Sequence, residues 1–370
     1  MRQTDTTRGR KRATALPRRI TCAIAAAAAL ALASPTQAGP APQKLRLTVV
    51  AGAPAASAAV RQLVDTLAAE TDRRLAATKG APRLEWVHRP DGQIARAAGV
   101  LEAVEDGLAD IGLVPLLDEA ERLPLQLVAW AAPFGPVDCR TQAQIQDQLH
   151  AGQPAMRDAW SAAGQTYLAS AVVDSLNLLT TRRLATPADL AGLRLVARAP
   201  VARWFDGVGV KIFPLTGRQA RASIADGLVD GIVAETTYIR SFDLQDKAGN
   251  LTRLDFGAMP VAALTIATGR LADLPPVVAE ALRAAADDYA TAVADLHCRR
   301  AGEDREAMRL DLREPTRAER TAWAAALAPV AQDWAKGLAA RGLPAGEVLA
   351  AYMTALRDRN LLIPRAWDAP

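Results

Sequence analysis

Residue types that commonly bind metals or perform catalysis are few in this chain. It has three histidines, His88, His150 and His297, and none lies at metal-ligand spacing from a second ligand-type pair. His297 is followed directly by Cys298, so the two cannot clasp one ion from one helix face. The sequence also lacks a Gly-Lys-Ser phosphate loop, a Gly-x-Ser-x-Gly elbow and the Rossmann glycine fingerprint. We therefore expect no cofactor and no metal, although active sites assembled in space leave little trace in a sequence.

The elements that would position a site are clearest between residues 186 and 235. Thr186 with Asp189, and Thr216 with Gln219, form capping-box patterns that each predict the start of a helix. Strands are predicted at residues 193–197 and 229–234, and a helical turn at 201–207. Helical connections between strands imply parallel or mixed sheets with both faces covered. Ligands of such sheets lie beyond the carboxyl ends of the strands.

A similar phrase occurs twice, in residues 105–114 and 225–234. Each time an amphipathic helix ends at a Gly of C-cap type, an Asp follows, and a hydrophobic strand begins. The pattern predicts two lobes of like architecture, and chance is the alternative because Asp-Gly-Leu is common at helix ends.

Further elements extend the pattern along the chain. Strands are predicted at residues 45–50, 84–87 and 111–114, and a helical pattern of about 35 residues ends near Leu310. Thr316 and Glu319 cap one further helix that carries Trp323 and Trp334, and residues 348–356 form the last helix.

Taken in order, several phrases resemble the substrate-binding proteins of tripartite ATP-independent periplasmic (TRAP) transporters, the dicarboxylate-binding-protein-like family. The matching segments are residues 90–94, 102–114, 133–134, 186–195, 209–214, 227–231 and 274–276. They cover nearly all of the chain after residue 38, and their order and spacing are more specific than any one phrase.

The resemblance implies an α/β fold of the two-lobed periplasmic binding protein type. Each lobe would be a mixed or parallel sheet flanked by helices, with a long helix running across both lobes. We expect residues 39–171 with 261–299 to form the first lobe. Residues 172–260 with 300–370 would form the second lobe and the C-terminal helices.

In that family an arginine after the Asp-Leu-x-Gly motif holds the carboxylate of the ligand. A guanidinium suits this role because it makes paired charge-assisted bonds and stays protonated. Counting from Gly192, the family position falls on Val196. Because Arg194, Val196 and Arg198 share one strand face, we expect Arg198 to take the anchoring role, with a solvated loop arginine as the alternative. Arg203 is a weaker substitute.

Other family positions differ as well. The usual polar residues after Asp230-Gly231 are replaced by an apolar run followed by Glu235, and the earlier strand offers Asp174 or Asn177 in place of a second arginine. These changes favour an amide, a monocarboxylate or a ligand with a basic group over a simple dicarboxylate. Further candidate ligand-binding residues are Gln93 in a crevice-lining loop and the aromatic side chains Trp130, Phe134, Trp204 and Tyr238, for which core packing is the alternative.

Residues 1–38 have the pattern of a cleaved secretory signal. Basic residues precede an apolar run at 23–33, and Thr36-Gln37-Ala38 is a small-x-small cleavage site. The whole chain has 44 basic and 40 acidic residues, and this segment holds seven basic and one acidic, which leaves 37 against 39, or a net charge near −2. No basic stripe predicts nucleic-acid binding. Cys139 and Cys298 remain, as a disulfide or as two free thiols.

The sequence thus predicts a periplasmic solute-binding protein, expected to be a monomer and not an enzyme. It would capture a small organic ligand, expected to carry a carboxylate, in the crevice between lobes and deliver it to TRAP membrane subunits. The alternatives are a binding protein for a sensor or another transporter, or a periplasmic enzyme on a bilobal α/β fold.

Overall fold

The structure is a computed structural model that describes residues 44–369. The predicted signal segment, residues 1–38, lies outside the described residues. The strands within 44–369 are β1 Lys44–Ala51, β2 Arg83–Arg89, β3 Ile111–Pro115, β4 Gln165–Val173, β5 Leu176–Thr180, β6 Arg194–Val196, β7 Lys211–Phe213, β8 Gly231–Glu235, β9 Asn250–Thr252, β10 Met259–Ala267 and β11 Asp311–Arg313.

Helices cover the faces of these strands. They are α1 Ala58–Gln62, α2 Ala69–Ala76, α3 Val100–Glu105, α4 Val128–Ala131, α5 Cys139–Gly152, α6 Pro154–Ala162, α7 Ala199–Ala202, α8 Gly217–Ala225, α9 Thr236–Ser241, α10 Thr268–Asp273, α11 Pro276–Ala307, α12 Arg317–Ala326, α13 Val330–Ala339 and α14 Ala345–Asp358. A π-helical segment, Leu63–Ala68, joins α1 to α2. Within residues 44–369, no helix is both long enough and apolar enough to cross a membrane.

The strands form two mixed sheets, as predicted. The first has the order β2-β1-β3-β10-β4, with β1 parallel to β2 and β3, and with β10 antiparallel to both of its neighbours. The second has the order β11-β9-β5-β8-β6-β7, in which β8, β6 and β7 run parallel and β5 runs antiparallel to β8. The two-lobed α/β architecture is therefore confirmed.

The chain passes between the sheets twice, through strand ends that lie next to each other. β4 ends at Val173 in the first sheet and β5 begins at Leu176 in the second, while β9 ends at Thr252 and β10 begins at Met259 in the first. The long helix α11 packs against α2, α5 and β4 on one side and against α9 on the other, so it contacts elements associated with both sheets.

The repeated phrase has the same local structure in both places. Gly107 (φ 72°) and Gly227 (φ 66°) end their helices in the left-handed region, which glycine adopts without strain. Asp110 accepts a hydrogen bond from the Thr48 backbone N–H (2.6 Å), and Asp230 accepts one from the Arg194 N–H (2.8 Å). In each sheet the Asp therefore ties the start of its strand to a parallel neighbour, which favours the interpretation as a structural repeat over chance.

Cys139 and Cys298 form a disulfide, with their Cα atoms 5.9 Å apart. It joins the first residue of α5 to the middle of α11, where a small buried cluster includes Val172, Ala258 and Ala294. This settles the alternatives left open by the sequence in favour of the bond.

The C-terminal helices correct one prediction. Trp323 and Trp334 do not share one helix, because α12 ends at Ala326 and α13 begins at Val330. Pro329 explains the break, since it has no N–H to donate and disfavours helix at the preceding residue. The capping box of Thr316 and Glu319 is present at the start of α12.

Candidate functional site

Two parallel strands of the second sheet end side by side and place an arginine next to a glutamate. β6 ends at Val196, and Arg198 is the N-cap residue of α7; β8 ends at Glu235. Because β6 and β8 are parallel neighbours, their carboxyl ends meet at one edge. There Arg198 Nη1 donates to Glu235 Oε1 in an ion pair.

The two partners differ in exposure. The Glu235 side chain is 3% exposed, whereas that of Arg198 is 34% exposed. Glu235 Oε2 is buried and accepts no hydrogen bond from the described residues. The Arg198 guanidinium lies 5.9 Å from the ring centroid of Trp130 and 5.5 Å from that of Tyr238, within cation–π range. The pair thus presents one partly open guanidinium above a deeper carboxylate.

Asp174 lies at the same edge, where the chain enters the second sheet. Its carboxylate accepts hydrogen bonds from the Thr236 N–H (2.7 Å) and the Thr237 hydroxyl (2.5 Å). Burial raises the pKa of Asp174 to about 7, the Thr237 hydrogen bond opposes this rise, and the nearby charge of Glu235 adds to it. A group with this pKa titrates close to neutral pH.

A cavity of about 480 Å³ opens beside the Arg198–Glu235 pair. Its wall comes from the loop after β1 and the start of α1, from the end of β4, from the second sheet and α9, and from α11. The lining residues are Ala56, Ser57, Ala58, Val173, Arg198, Glu235, Thr237, Tyr238, Arg240, Ser241, His297, Arg300 and Asp304. Elements of both lobes therefore face this cavity, and its volume is within the range of small-molecule sites.

α11 contributes basic groups to the wall. Burial lowers the pKa of His297, while the charge of Glu235 opposes that change and the charge of Arg300 adds to it. Arg300 and Arg240 are exposed, and Arg240 pairs with Asp243 at 3.3 Å. The open part of the cavity is thus lined by arginines, and the buried part by Glu235.

The four candidate aromatic residues fall into two environments. Trp130, Phe134 and Trp204 are almost fully buried, and Phe134 and Trp204 both pack against Phe256. The Trp130 Nε1–H donates to the Pro260 carbonyl (2.8 Å), and the Trp204 Nε1–H donates to the Trp130 carbonyl (2.8 Å). Tyr238 instead lines the cavity and packs on Phe242.

The remaining candidates do not line this cavity. Arg194 lies at the other end of β6 and pairs with Asp230 (2.8 Å). Asn177 is buried, donates to the Ser175 carbonyl (3.1 Å) and accepts from the Asp255 N–H (2.9 Å). Gln93 is exposed, and Arg203 is exposed next to Asp206.

Several wall residues have no signal in the sequence. Ser57, Thr237, His297 and Arg300 belong to ordinary amphipathic or loop segments, and only the folded arrangement of α1, α9 and α11 brings them to Arg198. Within residues 44–369 no group of three or more His, Cys, Asp or Glu is arranged to hold a metal ion.

Comparison with known proteins gives a consistent picture. The family model described as bacterial extracellular solute-binding protein, family 7, matches residues 60–337. None of the curated protein sequences is detectably similar to this chain.

Solved structures of TRAP periplasmic binding proteins share the fold. One from Desulfovibrio salexigens has a TM-score of 0.74 at 18% identity, covering 86% of this chain and 97% of its own. An extracytoplasmic solute receptor from Bordetella pertussis that binds pyroglutamic acid has a TM-score of 0.67 at 18% identity, covering 85% and 100%. A Sulfitobacter protein with bound β-D-galacturonate has a TM-score of 0.63 at 16% identity, covering 84% and 99%.

Proposed function

The chain belongs to bacterial extracellular solute-binding protein family 7, and from this premise we propose that it captures a carboxylate-bearing small molecule in the cavity beside Arg198. Binding there, without chemical conversion, is followed by delivery of the ligand to TRAP membrane subunits. The location is the periplasm, reached through a cleaved signal in residues 1–38.

The observation that carries the proposal is the position of Arg198. It is a partly exposed guanidinium at the carboxyl edge of a sheet, in a cavity lined by both lobes and α11. Its Nη1 pairs with Glu235, and its Nε and Nη2 make no hydrogen bonds to the described residues, so they remain for a ligand carboxylate. The family position, Val196, is 1% exposed and packs in the core of the second lobe, so it offers no alternative anchor.

Two of the similar structures support the ligand class. The Bordetella receptor binds pyroglutamic acid and the Sulfitobacter protein binds galacturonate, and both ligands carry one carboxylate. A carboxylate on Arg198 that also touches Ser57 and α11 would stabilise the closed arrangement of the lobes, because it binds that arrangement better than the open one. The closed form would then be offered to the membrane subunits.

The test is ligand-dependent unfolding of the protein against pyroglutamate, uronates, other mono- and dicarboxylates, amino acids and aromatic acids. A ligand at a hundred times its Kd adds about 2.7 kcal/mol to the free energy of unfolding, which raises the midpoint visibly. We expect an acid to stabilise the wild type and to lose most of this effect in Arg198→Ala. Arg218→Ala removes an exposed arginine of α8 outside the cavity and is the matched control.

Arg198→Ala leaves Glu235 buried without its partner, which can weaken folding by itself. The double variant Arg198→Ala/Glu235→Gln removes both charges and should fold while still failing to bind the acid. A panel in which no acid stabilises the wild type would refute carboxylate capture. Recovery of a bound metabolite in chemically altered form would instead favour an enzyme.

A further inference from the structure

The cavity contains a fixed negative charge that a simple acid does not need. Glu235 is the buried carboxylate among the lining residues, whereas the other acidic one, Asp304, is partly exposed. Glu235 Oε1 accepts from Arg198, and Oε2 is buried and accepts no hydrogen bond from residues 44–369. A buried carboxylate oxygen without a donor is costly, and such groups commonly have a functional explanation.

A ligand that carries only a carboxylate fits this arrangement poorly. It would reach Arg198 next to Glu235, so that two negative charges would share one guanidinium, and these like charges would repel each other. Asp174 is buried close enough to Glu235 for the charge of Glu235 to raise its pKa, so a second carboxyl group belongs to the same surroundings. This repulsion would weaken binding of the ligand, because the fold holds the carboxyl groups of Glu235 and Asp174 in place.

A ligand with both charges fits it well. Its carboxylate can take the free Nε and Nη2 donors of Arg198, while an ammonium donates to the unpartnered Oε2 of Glu235. The internal ion pair then becomes a four-charge arrangement in which each charge has an opposite neighbour. No buried charge is left alone.

We propose that this protein selects zwitterionic ligands of amino-acid type, with Arg198 binding the carboxylate and Glu235 binding the cationic group. The inference rests on the function proposed above, and it names the ligand class and the residue that selects it. Arg240 and Arg300 also line the cavity, but both are exposed, so they do not replace the buried pair.

The alternative role for Glu235 is to hold Arg198 in place for any acid. The two roles differ in one measurable quantity, the ratio of affinities for an amino acid and for the same molecule without its amino group. A residue that only positions Arg198 changes both affinities together. A receptor for the cationic group changes the ratio.

The experiment measures calorimetric binding of matched pairs: leucine with 4-methylpentanoate, phenylalanine with 3-phenylpropanoate, and glutamate with glutarate. We expect one amino acid to bind wild type at least tenfold more tightly than its partner. In Glu235→Gln that amino acid should weaken at least tenfold, while the acid without the amino group binds as well as before or better. Glu303→Gln, the same change at a 66% exposed side chain of α11, should leave the ratio unaltered.

If Glu235→Gln fails to fold, Glu235→Asp keeps the charge on a shorter side chain and should reduce the ratio by a smaller factor. Equal or tighter binding of the acids without amino groups to wild type would overturn the inference and leave carboxylate capture intact. Binding of pyroglutamate or a uronate alone would also overturn the inference and leave carboxylate capture intact. If no compound of either panel binds, the proposed function itself fails.

Discussion

Asp174 is deeply buried and accepts hydrogen bonds from the Thr236 N–H, the Thr237 N–H and the Thr237 hydroxyl. Its protonation should be visible in the stability of the unliganded protein. Burial raises its pKa from the ordinary value of 3.8 to about 7. For an acid whose folded pKa lies above its unfolded value, the folded state binds the proton more tightly. Its contribution to the free energy of unfolding is therefore largest below pH 4 and falls as pH rises from about 4 to 7.

Asp174→Asn should therefore reduce the loss of stability between pH 5 and pH 8 relative to wild type. The expected difference between the two proteins is on the order of 1–3 kcal/mol, since each pKa unit corresponds to about 1.4 kcal/mol. Urea unfolding at the two pH values measures it. Asp158→Asn, at an exposed position of α6, should keep the wild-type dependence, and an identical pH profile in Asp174→Asn would contradict the assignment.

The sequence identifies single residues of the site as candidates, but it does not predict which of them form a pair. Arg198 is a candidate because it shares a strand face with the family position Val196, and Glu235 because it ends the apolar run that follows Asp230-Gly231. They are 37 residues apart, and their contact depends on β6 lying directly beside β8 in parallel. The packing of the whole sheet decides which strands lie side by side, so no local sequence pattern predicts this ion pair.

At the scale of elements, Asp110 and Asp230 of the repeated phrase each follow a helix and accept a hydrogen bond from a neighbouring strand. Asp230 accepts hydrogen bonds from the Arg194 backbone (2.8 Å) and from its guanidinium (2.8 Å). These bonds hold the pKa of Asp230 below its usual range, with the Arg194 side chain as the largest cause. A depressed folded pKa contributes stability that is present at neutral pH and is lost in acid.

Asp230→Asn should lower the free energy of unfolding at pH 7 by about 1–3 kcal/mol, the usual value for hydrogen bonds to a charged group. The loss should shrink below pH 4, where wild-type Asp230 also loses its charge. Denaturant unfolding at both pH values checks this. Asp226→Asn, at the exposed end of α8, changes a nearby acid that lacks these bonds. The free energy of unfolding of this variant should be close to that of the wild type.

Capping boxes were the most reliable element signals because they act within four residues. The boxes that begin at Thr186, Thr216 and Thr316 are all present. The prediction of one helix that holds both Trp323 and Trp334 is wrong, although Pro329 between them indicates a break. Periodicity continued through the break because both helices bury one face on the same core.

For the whole molecule, the disulfide between Cys139 and Cys298 is the one covalent link between distant parts of the described chain. It closes a loop with a sequence separation of 159 residues, so it restricts the unfolded chain strongly. The double variant Cys139→Ser/Cys298→Ser should lower the free energy of unfolding by about 2–5 kcal/mol.

Ligand affinity should change little in this variant, because neither sulfur lines the cavity beside Arg198. Urea unfolding and calorimetry on the same preparation separate the two effects. Loss of both stability and binding would mean that the bond also positions α11 at the site. Unchanged stability would contradict the expected constraint on the unfolded chain.

The repeated phrase and the family resemblance predict the two-lobed α/β fold as a class, but they do not predict the order of the strands within each sheet. The last strand of the first sheet in chain order, β10, lies inside that sheet, between β3 and the edge strand β4. Nothing in the apolar sequence of residues 259–267 specifies that place. The position of β10 is decided by its pairing with both β3 and β4.

That position of β10, between two strands that precede it in the chain, also sets an order in time. As a chain is made from its amino terminus, β3 and β4 are complete long before β10 exists, and in the finished sheet each pairs with β10 rather than with the other. The strands β5 to β9 of the second sheet, by contrast, have all emerged by Thr252. The facing edges of β3 and β4 therefore stay open for nearly 90 further residues after β4 ends, until β10 fills the gap, and β11 completes the second sheet later still.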